Sequence, residues 1–137
     1  MTQAIVVDDY PKWRRFVAST LRTYPELEIM AEAEDGPEAL LKTQELQPDL
    51  ILLDIGLPTL NGIEVARTVR SVSPMSKILF VSETSSVEIV EAALKVGDGF
   101  VIKSEAARDL LPAVKAVLEG NRFVSARLTS LQFIDRC

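Results

Sequence analysis

Short apolar runs alternate with amphipathic stretches along the chain. Five apolar runs that end in polar residues predict strands at residues 4–7, 27–33, 50–53, 77–81 and 99–102. Apolar residues at helical spacing predict helices near residues 11–24, 39–46, 63–70, 90–97 and 110–118. This strand–helix alternation, with short connections, predicts a single α/β domain with a parallel sheet and helices on both faces.

Turn and capping residues mark the ends of several elements. Pro11 suits the first turn of a helix, Pro25 ends that helix, and Gly120 is a C-terminal stop for the last one. Residues 35–38, Asp-Gly-Pro-Glu, resemble a capping box that opens the second helix. Apolar and polar residues alternate over 27–33, which predicts a half-buried strand at an edge of the sheet.

The apolar run at 50–53 is the predicted centre of the sheet. It lies between Pro48 and Pro58, and Asp54 is the first polar residue to follow it. In open parallel sheets, ligands bind beyond the carboxyl ends of the strands. Polar residues follow four of the five predicted strands at that end: Asp8 and Asp9 after the first, Asp54 after the third, Ser82 after the fourth and Lys103 after the fifth.

Three carboxylates at one sheet edge require charge compensation. Two unit charges about 4 Å apart repel by about 4 kcal/mol at an effective dielectric near 20. Either one carboxyl group stays protonated or a divalent cation lies between them. We expect Asp9, helped by Asp8, to hold Mg²⁺ or Mn²⁺ together with Asp54, and the backbone carbonyl of Gly56 to be a further ligand.

The same residues suit phosphoryl transfer. A carboxylate can act as the nucleophile and form an acyl phosphate, so Asp54 is the candidate acceptor. Lys103 and Ser82 are expected to contact the phosphoryl oxygens. Taken singly, these residues have ordinary interpretations: Asp8 or Asp9 as a helix cap, Ser82 as a turn residue, Lys103 as a solvated side chain. Their occurrence together at four strand ends favours a site.

Composition excludes several other classes. The chain has 137 residues, a net charge of −5 and no basic run, so this segment is not expected to bind nucleic acid directly. It has no histidine, which excludes Ser-His-Asp, Cys-His and His-zinc chemistry. No apolar run is long enough for a membrane span, no signal-peptide pattern is present, and the one cysteine, Cys137, fits a reducing compartment; a cytoplasmic location is expected.

These motifs together resemble a response-regulator receiver domain of two-component signalling, over about residues 3 to 120. The matching residues are Asp8-Asp9, Asp54 with Leu57-Pro58 and Asn61-Gly62, Ser82, Gly97, Gly99-Phe100 and Lys103. The resemblance implies a flavodoxin-like, doubly wound five-stranded parallel sheet of order 2-1-3-4-5. Residues 1–120 would then form the receiver, and residues 121–137 a tail or a truncated linker.

The resemblance also implies how the domain works. A histidine kinase or phosphotransfer protein would supply the phosphoryl group to Asp54, and the chain would catalyse only its own phosphorylation and dephosphorylation. Ser82 would then move toward the phosphoryl group, and Phe100 would turn inward. The surface formed by the fourth helix, fifth strand and fifth helix would change shape for a partner, and a homodimer formed on phosphorylation is a further expectation.

Residues 35–40 and 110–125 look like the transcription-factor branch of this family, whose members usually continue into a helix-turn-helix domain. Any DNA contact would come through such a domain. Val124, Leu128, Leu131 and Ile134 recur at roughly helical spacing, so the tail is expected to be either a short packing helix or the start of a linker. Three positions depart from the family pattern: Ser104 rather than proline follows Lys103, Glu83 follows Ser82, and Asp98 precedes Gly99.

Three other functions compete with the phosphoacceptor hypothesis. A pseudo-receiver would share the fold and bind partners without phosphorylation; Glu83 favours it, and the intact acidic and basic set opposes it. A Mg²⁺-dependent phosphohydrolase with an aspartyl-phosphate intermediate would need Asp-x-Asp on the first strand, whereas that strand ends Asp8-Asp9-Tyr10. A nucleotide-binding Rossmann enzyme is excluded because no glycine-rich phosphate loop is present.

Overall fold

A computed structural model describes residues 1–84, 86–125 and 128. Strands and helices alternate through that part of the chain, as the sequence predicts. The strands are β1 (Thr2–Val7), β2 (Leu27–Ala33), β3 (Leu50–Leu53), β4 (Lys77–Ser82), β5 (Gly99–Ile102) and β6 (Phe123–Val124). The helices are α1 (Pro11–Leu21), α2 (Gly36–Leu46), α3 (Gly62–Val72), α4 (Val87–Val96) and α5 (Ala106–Leu118).

All strands pair in parallel, in the order β2-β1-β3-β4-β5-β6. The predicted order 2-1-3-4-5 is therefore confirmed for the first five strands. The predicted number of strands is too low by one, because the two residues of β6 pair with the outer edge of β5. A run of two residues is too short to be predicted from hydrophobic periodicity.

Two apolar layers cover the two faces of the sheet. One face packs against α1 and α5, through buried residues such as Val17, Leu110 and Val114. The other packs against α2, α3 and α4, through residues such as Val69 and Val90. Because β3 and β4 are covered on both sides, their residues are buried almost throughout, and a polar side chain can reach solvent only at a strand end.

The edge strand β2 contains a bulge. Ala4 pairs with Ile29, whereas the next residue, Ile5, pairs with Ala31, so Met30 has no partner on β1. The bulge shifts the side-chain alternation by one residue. As a result Ile29 packs on the α1/α5 face and Ala31 on the opposite face, although their spacing predicts a single face.

The chain after α5 returns to the sheet. Gly120 has φ +89°, a left-handed conformation that glycine adopts without steric cost, and it ends α5 as predicted. Val124 then lies opposite Phe100 in β6, in a strand rather than in the helix that was one of the two expectations. Ser125 is buried, and its Oγ accepts a hydrogen bond from the backbone N–H of Ile102 (3.0 Å). Leu128, a further residue of that expected helix, is buried in the apolar layer that faces α2, α3 and α4, and its N–H donates to the carbonyl of Ser125 (2.9 Å). Leu131 and Ile134 lie outside the described residues.

The ends of two helices are fixed as the sequence suggests. Asp35 is the N-cap of α2, and its carboxylate accepts a hydrogen bond from the backbone N–H of Glu38. Asn61 caps α3 in the same way, accepting from Glu64 N. Each cap stabilises its helix by about 1 kcal/mol. Among the described residues, no helix has the length and apolar character needed to cross a bilayer.

Candidate functional site

Asp54 is fixed at the carboxyl end of β3 by its backbone. Its N–H donates to the carbonyl of Val7 on β1 (3.0 Å), which continues the sheet pairing by one residue. The start of α3 then packs directly against this strand end, since a Cβ added to Gly62 would lie 2.2 Å from the Asp54 carbonyl oxygen. Only glycine fits that position. The residue itself is 7% exposed, so most of its surface is covered by protein.

The acidic pair after β1 divides into one buried and one exposed residue. Asp8 is 1% exposed; its Oδ1 accepts from Tyr10 N (2.9 Å), and its carbonyl accepts from Arg14 Nη1 (2.6 Å). Asp9 is exposed. Asp8, Asp9 and Asp54 each present an oxygen ligand, and these three atoms lie within 4.8 Å of one another. The expected acidic cluster at the sheet edge therefore forms.

Lys103 follows β5 and opens a single 3₁₀ turn, Lys103–Glu105. Its ammonium lies 2.6 Å from Asp8 Oδ2 and 3.8 Å from Asp54 Oδ2. The same ammonium lies over the ring of Trp13, 5.0 Å from the ring centroid. The side chain is 13% exposed, so the positive charge is held mainly by these neighbours rather than by water.

The pKa of Asp54 reflects these surroundings. Burial raises the pKa of the Asp54 carboxyl group to about 6, Lys103 opposes the rise, and the negative charge of Asp8 adds to it. Hydrogen bonds from the backbone N–H groups of Gly56 and Ile55 also oppose it. Asp54 is therefore mostly ionised at neutral pH and only moderately hydrated, which suits a nucleophilic carboxylate.

The other predicted site residues lie in two places. Ser82 and the Gly56 backbone line the cleft of about 700 Å³ that contains the three carboxylates and Lys103. Ser82 is 4% exposed and accepts a long hydrogen bond from Thr84 N (3.4 Å). Phe100 does not line the cleft: it is fully buried in β5, and its ring centroid lies 6.3 Å from that of Phe80. In this structure the Phe100 side chain is thus already inward.

Several residues around the cleft were not identified from the sequence. These are Tyr10, Ile55, Thr84 and Ile89, all of which line it. Glu83, which the sequence did single out, lines the same cleft and is exposed. Trp13 belongs to the apolar pattern that predicts the first helix, and its ring also contacts Lys103. The available signal was its position in the first turn of a helix that starts at the same sheet edge as the acidic pair.

Asp98, which departs from the family pattern, has a structural partner. Its Oδ2 accepts hydrogen bonds from Arg70 Nη2 (2.9 Å) and from Ile78 N (2.8 Å). Arg70 also donates to the carbonyls of Val96 and Ser76. This network joins α3, α4, β4 and the start of β5 at the end of the sheet opposite the cleft.

The parallel sheet, with helices on both faces and an acidic cleft and a lysine at its carboxyl edge, defines a flavodoxin-like domain. The family model for the response regulator receiver domain matches residues 4–115. The chain therefore belongs to the response regulator receiver domain family.

Curated relatives and solved structures agree with this assignment. The chain is 34% identical over 128 residues to the transcriptional regulatory protein DegU of Brevibacillus brevis, covering 93% of this chain and 54% of DegU. It is 33% identical over 126 residues to the nitrate/nitrite response regulator protein NarL of Escherichia coli K12, covering 91% of this chain and 58% of NarL. The chain thus spans little more than half the length of these relatives.

One solved structure matches over almost the whole chain. It is a two-component response regulator of the LuxR family from Aurantimonas sp. SI85-9A1, with a TM-score of 0.92, 28% identity and 99% of each chain covered. The predicted flavodoxin-like fold and the predicted receiver family are both confirmed.

Proposed function

We propose that this protein is the phosphoacceptor domain of a two-component response regulator and that Asp54 accepts the phosphoryl group. The observation that supports this most directly is the convergence of Asp54, the acidic pair and Lys103 in one cleft at the carboxyl edge of the sheet. An Asp54 carboxylate oxygen forms a bond to phosphorus while the bond from phosphorus to the donor's leaving group breaks. The product is an aspartyl phosphate.

The acidic cluster is suited to Mg²⁺ or Mn²⁺. Three carboxylates within 4.8 Å offer only oxygen ligands, as hard cations require, and Gly56 lines the same cleft. Asp9, Asp8, Asp54 and the Gly56 carbonyl would hold the ion. A bound divalent cation would neutralise charge on the phosphoryl oxygens.

Lys103 and Ser82 are the proposed contacts for the phosphoryl oxygens. Lys103 already lies 3.8 Å from the Asp54 carboxylate, and Ser82 has only one long hydrogen bond. Ser82 can therefore turn toward a new anion on Asp54 without breaking a strong hydrogen bond, and Lys103 needs only a short movement to reach it. The ammonium of Lys103 would exchange its contact with Asp8 for one with the phosphoryl group.

The switch would use the surface of α4, β5 and α5. Ser82 ends β4, and Phe80 on the same strand packs against Phe100 on β5. A shift of Ser82 toward the phosphoryl group would repack this pair and alter the surface presented to a partner. The proposed partners are a histidine kinase or phosphotransfer protein as donor, and a second copy of the phosphorylated chain.

We further propose that residues 1–120 form the receiver and that residues 121–137 are a tail or linker, whose first part adds β6 to the receiver's sheet. The matched relatives are named as transcriptional or response regulators and are longer than this chain. The output is accordingly proposed to be transcription regulation through a helix-turn-helix module, with the DNA contact made by that module.

Intact-mass measurement tests the proposed acceptor. Incubation with Mg²⁺ and a small phosphodonor should add one phosphoryl mass to the wild-type protein and none to Asp54→Asn. Asp49→Asn is a matched control, because Asp49 precedes the same strand at its other end and is exposed; it should be labelled normally. Labelling of Asp54→Asn at the wild-type level would show that another residue is the acceptor. An unlabelled wild-type protein would favour the pseudo-receiver.

A further inference from the structure

Trp13 makes a contact with Lys103 that its place in the helix does not require. It lies in the first turn of α1, where its ring packs against Phe16 with centroids 5.0 Å apart and ring planes tilted by 32°. The Lys103 ammonium lies over the indole, 5.0 Å from its centroid. That distance is within the range of a cation–π contact, and tryptophan is the strongest aromatic partner for a cation.

The Lys103 ammonium has three charged or aromatic neighbours among the described residues. Asp8 attracts Lys103 from one side at 2.6 Å, Asp54 lies at 3.8 Å, and the indole face lies against a further side. Among these three neighbours only the indole stabilises the positive charge without a formal negative charge. It can therefore hold the lysine in place without competing with an incoming anion for its hydrogen bonds.

We propose that Trp13 is a positioning residue for Lys103. The indole face keeps the ammonium in the cleft, 3.8 Å from the Asp54 carboxylate, so that Lys103 can move to the phosphoryl group as it arrives. This inference rests on the proposed phosphoacceptor function. Helix α1 already carries Arg14, which donates a hydrogen bond to the Asp8 carbonyl. The proposal gives this helix a second role, the positioning of Lys103.

The contact has a spectroscopic signature that is independent of phosphorylation. Protons above an aromatic face are shielded by the ring, so the Lys103 side-chain methylene next to the ammonium should resonate upfield of the other lysines. The signal is assigned by its absence in Lys103→Gln. It should move to the ordinary lysine position in Trp13→Leu and stay partly shifted in Trp13→Phe.

Labelling kinetics test the positioning role. At saturating Mg²⁺, Trp13→Leu should slow the maximal rate of Asp54 labelling about 3- to 30-fold, the range expected from losing a cation–π contact. The half-saturating phosphodonor concentration should change little. Trp13→Phe, which restores an aromatic face, should recover at least half of the loss on a logarithmic scale. If Trp13→Leu does not fold, Trp13→Met replaces it, since it also fills space without an aromatic ring.

Phe16→Leu is the matched control for packing. Phe16 lies one turn further along α1, against Trp13, and packs on the same apolar layer. Its substitution should leave both the Lys103 signal and the labelling rate unchanged. The proposal is overturned if Trp13→Leu loses the shifted signal yet is labelled at the wild-type rate, or if Phe16→Leu is slowed equally. A wild-type protein that shows the shifted signal but takes no label would instead refute the phosphoacceptor function, and the positioning role with it.

Discussion

Lys103 lies closer to Asp8 than to Asp54: its Nζ is 2.6 Å from an Asp8 oxygen and 3.8 Å from an Asp54 oxygen. Lys103 therefore compensates the charge of Asp54 only in part, and burial has the largest effect on the pKa of Asp54. The pKa of Asp54 is raised from an ordinary 3.8 to about 6. A carboxyl group whose pKa is raised by folding binds more protons in the folded state, so it lowers the free energy of unfolding as the pH rises between these two values.

The first prediction follows from that pH dependence. Asp54→Asn should be more stable than the wild-type protein above pH 6, by on the order of 3 kcal/mol for a shift of about two pKa units. The difference should shrink as the pH falls from 6 toward 4 and reach zero only below the ordinary pKa of 3.8, where Asp54 is protonated in both states. Urea denaturation at several pH values between 4 and 8, without divalent cations, measures it. A difference for Asp54→Asn that does not vary with pH would contradict the prediction.

The second prediction concerns divalent cations. Mg²⁺ should raise the free energy of unfolding, by about 2.7 kcal/mol at a concentration one hundred times its dissociation constant. Asp9→Asn should need much more Mg²⁺ for the same effect, because it removes one of the three clustered carboxylates. The measurement is thermal unfolding over a Mg²⁺ titration at constant ionic strength.

Glu83 supplies the control for the Mg²⁺ titration. Its carboxylate stands at the rim of the same cleft but is not one of the three clustered groups. Glu83→Gln should therefore keep the wild-type dependence on Mg²⁺. Equal weakening in Glu83→Gln and Asp9→Asn would mean that general negative charge, rather than a defined metal site, attracts the ion.

The third prediction concerns the network at the opposite end of the sheet. Arg70→Met would leave the Asp98 carboxylate and the Val96 and Ser76 carbonyls without their shared donor. We expect a loss of about 1 to 3 kcal/mol in the free energy of unfolding. Labelling of Asp54 should stay unchanged, because the network does not reach the cleft.

Arg67→Met is the comparison for that experiment. Arg67 is an exposed arginine on the same helix, so its loss should cost less than about 0.5 kcal/mol. Equal stability of the Arg70 and Arg67 variants in urea denaturation would show that the network contributes nothing measurable. Slower labelling of Arg70→Met, with the fold intact, would show instead that the two ends of the sheet are coupled.

The sequence by itself determined the order of the elements and the residues gathered at the cleft. The apolar runs are continuous enough to identify buried parallel strands, and the carboxyl ends of parallel strands lie at one edge of a sheet. The positions of Asp9, Asp54, Ser82 and Lys103 therefore follow from local patterns and one topological rule. The assignment of roles among them also needed the family resemblance.

Only the tertiary structure decided how these side chains are paired. Hydrophobic periodicity does not record the distance between residues that are far apart in the chain, so it could not show that Lys103 contacts Asp8 and Trp13. Nor could it reveal the bulge at Met30 or the sixth strand at Phe123–Val124, since each depends on pairing with a neighbouring strand. Contacts of this kind arise from packing across the sheet, whereas the pattern along the chain fixes only which face and which end a residue occupies.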